Sequence, residues 1–95
     1  MGKIHILVEK CHNDNSSTIL NVFGSLEEAY AEMSDRYQDA KSQWERETEP
    51  FKERHIHIGK KYAEAWVKDY DYEEYGLSWQ IHTYEEDLRG YWHYR

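Results

Sequence analysis

Val22-Phe23-Gly24-Ser25-Leu26-Glu27-Glu28-Ala29 decides the fold of this chain. An apolar strand end runs into a glycine, then into a serine with a glutamate three residues on. That spacing predicts a capping box. Ser25 accepts from the amide of Glu28, and Glu28 reaches back to the amide of Ser25. A strand pair before this junction, a long helix after it and further strands behind follow from it.

Upstream, Ile4, Ile6 and Val8 alternate with His5 and Glu9, the pattern of a half-buried strand. Asn13-Asp14-Asn15-Ser16-Ser17 is turn chemistry. Thr18 to Phe23 is a second β-rich run, close enough to pair with the first as a hairpin. Downstream, the helix is expected from Leu26 to about Thr48, with Pro50 helping to end it. Leu26, Tyr30, Met33, Tyr37, Ala40 and Trp44 share one face, and Glu28, Glu32, Asp35 and Asp39 lie on the other. A helix of that length outruns a short strand, so an overhanging Trp44 is a self-association candidate. Packing of Trp44 under residues 51–58 is the alternative.

His55-Ile56-His57-Ile58 reads as a short strand or a connector. Tyr62 to Tyr70 reads as a strand with Ala63, Ala65 and Val67 on one face and Tyr62, Trp66 and Tyr70 on the other. Asp71 to Gly76 reads as a loop. Leu77, Trp79, Ile81 and Thr83 then alternate with Ser78, Gln80, His82 and Tyr84. Residues 89–95 form an aromatic tail, frayed or docked. The simplest architecture is α+β: a four-stranded antiparallel sheet in the order β-β-α-β-β, with one long helix packed on one face. The 95 residues make a single domain, 1–95, with one modest core.

Composition bounds the function. Aromatic residues are 16% of the chain, which sets it apart from disordered sequences. The formal net charge of −7 disfavours direct binding to nucleic acid or to an anionic membrane. A single cysteine, Cys11, permits no internal disulfide and suits a reducing compartment, so a cytoplasmic location is expected. No apolar run approaches a membrane span, and the N-terminus has no signal-peptide pattern.

Catalytic and cofactor signatures are weak or missing. The glycines at 2, 24, 59, 76 and 90 are isolated, which rules out a P-loop or a dinucleotide fingerprint. Asp69-Tyr70-Asp71-Tyr72-Glu73 opens like a calcium loop. However, Glu74 stands where the loop needs glycine, and Gln80 stands where it needs glutamate. His55 and His57 have a two-ligand spacing with no third ligand to name. Cys11 and His12 are adjacent and would point to opposite faces of a strand, a poor nucleophile–base pair. No cofactor, no metal and no enzymatic activity are expected.

Charge segregation is the strongest non-random feature. Residues 69–87 hold Asp69, Asp71, Glu73, Glu74, Glu85, Glu86 and Asp87 with no Lys or Arg. Tyr70, Tyr72, Tyr75, Trp79 and Tyr84 are interleaved. Asp69, Asp71, Tyr72, Glu73, Glu74 and Tyr75 thus form a candidate contact group for a basic protein partner, including one that binds nucleic acid. The locally basic set Lys52, Arg54, His55, His57, Lys60 and Lys61 is an alternative site for a small, nucleotide-like anion. A homodimer through Trp44 is the third reading.

Lys3-Ile4-His5-Ile6-Leu7-Val8-Glu9, followed by Val22 to Ala29, resembles small uncharacterised proteins of phages and bacterial mobile elements. These open on a strand pair, enter a helix through a similar junction and end in an acidic, aromatic hairpin. The resemblance carries no functional motif. It implies a phage or prophage accessory protein in the host cytoplasm, a setting that includes inhibitors of host defence such as anti-CRISPR proteins.

Overall fold

The structure is a computed structural model and describes residues 2–95. Ser25 caps the helix as its spacing predicts: its Oγ accepts from the Glu28 amide at 3.1 Å. The second arm of the box differs. Glu28 Oε1 takes the Ser25 hydroxyl at 3.1 Å instead of the Ser25 amide. Glu27 and Glu28 in the first turn also complement the positive end of the helix dipole.

The chain is α+β, with one helix on an antiparallel sheet, but the sheet has six strands and not four. The strands are β1 (Lys3–Cys11), β2 (Ser16–Phe23), β3 (Glu53–Ile58), β4 (Tyr62–Lys68), β5 (Glu74–Glu86) and β6 (Trp92–Tyr94). Helix α1 runs Leu26–Glu45 between β2 and β3. The spatial order is β2-β1-β5-β4-β3, and β6 pairs with the far end of β5. The segment around His55–Ile58 is therefore a full edge strand. The aromatic tail is docked as a strand: Asp87 Oδ1 takes the amides of Arg89 and Tyr91, and Tyr84 faces Tyr94 across the pair.

The helix ends at Glu45, three residues before the expected stop. Arg54 on β3 accounts for this. Its guanidinium donates to the carbonyls of Trp44 (3.2 Å) and Glu49 (3.4 Å), so it fixes the chain as it leaves the helix. The 20 residues of α1 span ~30 Å, while the 13 of β5 reach ~44 Å, so the helix does not overhang its sheet. Trp44 packs edge-on against Phe51 and donates its indole N–H to Ala65 O at 3.0 Å.

The core lies between α1 and one face of the sheet. Leu7, Ala29, Met33, Tyr37, Ala63, Ala65, Trp79 and Ile81 form it. The alternations expected for β4 and β5 hold. The helix face also holds, except that Ala29 is buried where Tyr30 was expected, and Tyr30 is exposed.

The face of β1 is the reverse of its apparent pattern. Leu7 and His5 are buried beneath the helix layer, and Ile4, Ile6 and Val8 lie on the other face. Antiparallel register with β5 sets this, since Leu7 lies opposite Ile81, His5 opposite Thr83 and Glu9 opposite Trp79. Each polar side chain on that face has a partner. His5 Nδ1 shares a hydrogen bond with Thr83 Oγ1 at 2.8 Å, and Trp79 Nε1 donates to Glu9 Oε1 at 2.9 Å. Among the described residues, no helix is long and apolar enough to cross a membrane.

Burial holds the His5 pKa below its ordinary 6.5, and Lys61 and Lys3 add to the effect. The unfolded chain takes up a proton at His5 near that pH, and the folded chain resists it. This stabilising contribution is thus present above about pH 6.5 and is lost as the pH falls below it. Urea midpoints measured from pH 7.5 to 5.5 should decline in the native protein and decline less in His5→Asn.

Candidate functional site

One row of residues crosses the uncovered face of the sheet at the end nearest the β4–β5 turn. His55 on β3 pairs with Trp66 on β4, and Trp66 pairs with Gly76 on β5. The His12 amide, just past β1, donates to Gly76 O at 2.8 Å. Gly76 contributes no side chain, so the rings on either side of it close the gap. His12 stacks on Trp66 at 4.3 Å between centroids, 11° from parallel. His55 stacks on the opposite face of Trp66 at 4.1 Å and 7°.

Gly76 is required at this position. Its φ is +123°, and a Cβ there would come within 2.5 Å of Ala65 O and 2.6 Å of Trp66 Cα. Its amide is taken by Asn13 Oδ1 at 3.0 Å, which straps the β1–β2 turn onto β5.

The stack holds the start of β5. His12 Nδ1 donates to Glu74 Oε1 at 2.8 Å, and His12 Nε2 is bonded to Ser78 Oγ at 3.0 Å. The His12 side chain is only 6% exposed. The hydrogen bond from His12 keeps the Glu74 carboxyl below its ordinary range. Glu74 is thus a structural anchor.

The β4–β5 turn beyond it is tightly built. Asp69 Oδ1 accepts the amides of Asp71 (2.9 Å) and Glu73 (3.0 Å), and the Asp69 amide donates to Glu73 O. The Tyr75 hydroxyl donates to Glu73 Oε2 at 2.8 Å, also reaches Asp69 Oδ2 at 3.3 Å, and has its pKa pushed up to about 12. Tyr72 sits at φ 67°, the left-handed region, which turns its ring outward. The Lys52 ammonium lies 3.7 Å from the centre of that ring.

The six residues expected to form a contact group therefore divide. Asp69, Glu74 and Tyr75 are committed to internal bonds, and Glu73, although exposed, accepts the Tyr75 hydroxyl. Asp71 and Tyr72 are exposed without such a bond through their side chains to another residue of the turn, as is Tyr70, which lies outside the expected group. Tyr70 and Tyr72 are 66% and 67% exposed. The strand expected to run to Tyr70 ends at Lys68, so Tyr70 lies in the turn, two residues past β4.

The basic set is dispersed. Arg54 closes the helix end, Lys52 lies at the acidic turn, and Lys60 and Lys61 lie in the β3–β4 turn at the opposite end of the sheet. His55 and His57 share the uncovered face, and His55 is taken up in the stack. Among the described residues, no three His, Cys, Asp or Glu side chains gather in a metal-holding arrangement. The uncovered face does carry a shallow groove of about 370 Å³ that the sequence reading missed. Lys10, His12, Tyr62, Ser78 and His82 line it.

Comparison with protein-family models, curated proteins and solved structures returns no match to this chain.

His12→Ala removes a stacked ring and the bond to Glu74, and should cost ~2 kcal/mol in urea denaturation. In the same variant the Glu74 carboxyl should titrate closer to 4.5 by NMR. An unchanged Glu74 titration would show that His12 does not hold it.

Proposed function

We propose that this chain is a non-enzymatic binding protein that docks its acidic, aromatic β4–β5 turn on a basic protein surface. Asp71 and Glu73 supply charge for steering, and Tyr70 and Tyr72 supply contact area. The carrying observation is preorganisation. Asp69 fixes the turn through two backbone amides, and Glu74 is tied to a buried histidine. A turn already held in shape loses little conformational freedom on binding.

The phage accessory setting implied by the resemblance points to a host protein with a nucleic-acid-binding groove as the target. Inhibition of a host defence protein would follow from occupying such a groove.

The test separates contact residues from anchors. Immobilised protein should capture a basic partner from bacterial lysate and release it as salt is raised, because exposed charges are screened. The double variant Asp71→Lys, Tyr70→Ser, which leaves the bonds of Asp69, Glu73 and Tyr75 in place, should fold and lose that partner. Equal capture by the double variant would contradict the proposal.

The groove on the uncovered face favours a second reading, a small anionic ligand held by Lys10 and the neighbouring hydroxyls. That reading replaces residues 52–61, which the fold scatters, as the anion site. A thermal shift with a nucleotide, abolished in Lys10→Ala, would select it over the first.

A further inference from the structure

Glu74, His12 and Ser78 form an unbroken chain of hydrogen bonds on the uncovered face. The Glu74 carboxyl is kept below its ordinary range and is ionised at neutral pH. A carboxylate only accepts, so the 2.8 Å bond to Glu74 Oε1 places a proton on His12 Nδ1. Nε2 of the neutral ring then carries a lone pair, and Ser78 Oγ lies 3.0 Å from it. The Ser78 hydroxyl is therefore the donor, aimed at a base whose other nitrogen a carboxylate holds. Stacking on Trp66 at 4.3 Å fixes the ring in that orientation. The Tyr62 hydroxyl gives its own proton to Glu64 Oε2 at 2.6 Å and is no donor to His12.

A polar network that serves packing alone needs no opening to solvent, and this one has an opening. Ser78 and His12 both line the groove of about 370 Å³ on the uncovered face. Ser78 is 5% exposed there. Lys10 lies directly opposite Ser78 in the β1–β5 register and lines the same groove, so it brings a positive charge beside the hydroxyl.

We propose that Ser78 is a nucleophile that accepts a small acyl group from an activated ester, with His12 as its general base and Glu74 as a positioning residue. Ser78 Oγ bonds to the carbonyl carbon as its proton passes to His12 Nε2. Lys10 supplies the positive charge for the oxygen that becomes an anion. As the intermediate collapses, the bond to the leaving group breaks, and that group departs with the proton from His12 Nε2. The products are an ester on Ser78 and the free alcohol. The alcohol must be acidic, as a phenol is, because β5 pairs with β1 and β4 on both sides of Ser78 and the neighbouring amides are taken up in the ladder. An ester on so enclosed a residue is shielded from water, so acylation marks the chain once and does not turn over. This modification site rests on neither binding reading and lies away from the exposed residues of the acidic turn.

The test is incubation of the full chain with 4-nitrophenyl acetate, with the acetylated residue mapped by peptide mass spectrometry. One equivalent of 4-nitrophenolate and an acetyl group on Ser78 are expected. Ser78→Ala should lose both. Glu74→Gln keeps an acceptor for His12 but not its charge, and should slow acetylation of Ser78 at least about tenfold. His12→Ala should abolish it, and free imidazole, which fits the vacated place on Trp66, should restore part of it. Restoration requires a folded chain, so it separates loss of the base from loss of the fold. Acetylation confined to lysines would overturn the proposal. So would acetylation of Ser78 at the native rate in Glu74→Gln or His12→Ala, or release of 4-nitrophenolate that continues past one equivalent. None of these outcomes bears on partner capture by the acidic turn, which is measured separately.

Discussion

The missing side chain at Gly76 is the constraint on which the working end of this molecule depends. A cross-strand row normally offers one side chain per strand, spaced by the ~4.8 Å between neighbouring strands. At Gly76 the row is empty, so Trp66 and His12 meet across the gap in a parallel stack. His55 completes it from the other side. The same glycine gives its amide to Asn13 and its carbonyl to the His12 amide, which fixes the first hairpin against β5. His12 is thereby held where its ring nitrogens reach both Glu74 and Ser78. From Glu74 outward, the acidic turn inherits its position from a chain of contacts that begins at an atom that is not there.

A second constraint is the single helix. One α1 covers one face of a six-stranded sheet, and the opposite face has no second layer among the described residues. That face is partly sealed by its own large rings and partly left apolar. At the turn end the seal is the His12–Trp66–His55 stack. At the far end Tyr94 leans on His82 and Tyr84. Between them, towards β2, lie the half-buried Ile4, Ile6 and Val8 beside the exposed Ile19 and Val22. Charge follows the same division. The β4–β5 turn is acidic, and β2 carries no charged side chain.

Much of the fold was legible because it is local. Ser25 with Glu28, the heptad-like spacing of Met33, Tyr37 and Trp44, and the alternation of Trp79, Ile81 and Thr83 each state their structure within a few residues. The face of β1 was not legible. Ile4, Ile6 and Val8 are the stronger apolar set, and burial of His5 makes sense only when Thr83, 78 residues away, supplies its partner. β6 and the full length of β3 depend on neighbours in the same way.

The candidate site was half legible. Composition marked the acidic stretch, but it did not say which acids face outward. Asp69, Glu74 and Tyr75 are committed by hydrogen bonds within the turn or to a histidine 62 residues away. The sequence places Gly76 at the end of a loop, Asp71–Gly76, whereas it lies inside β5, where an isolated glycine often marks close approach of another group. The central claim is that the acidic turn is rigid before any partner arrives, and backbone ¹⁵N relaxation of the free protein tests it most directly. Order parameters for residues 69–74 should match those of β4 and β5, near about 0.85, whereas values below about 0.6 would show a mobile turn and contradict the account.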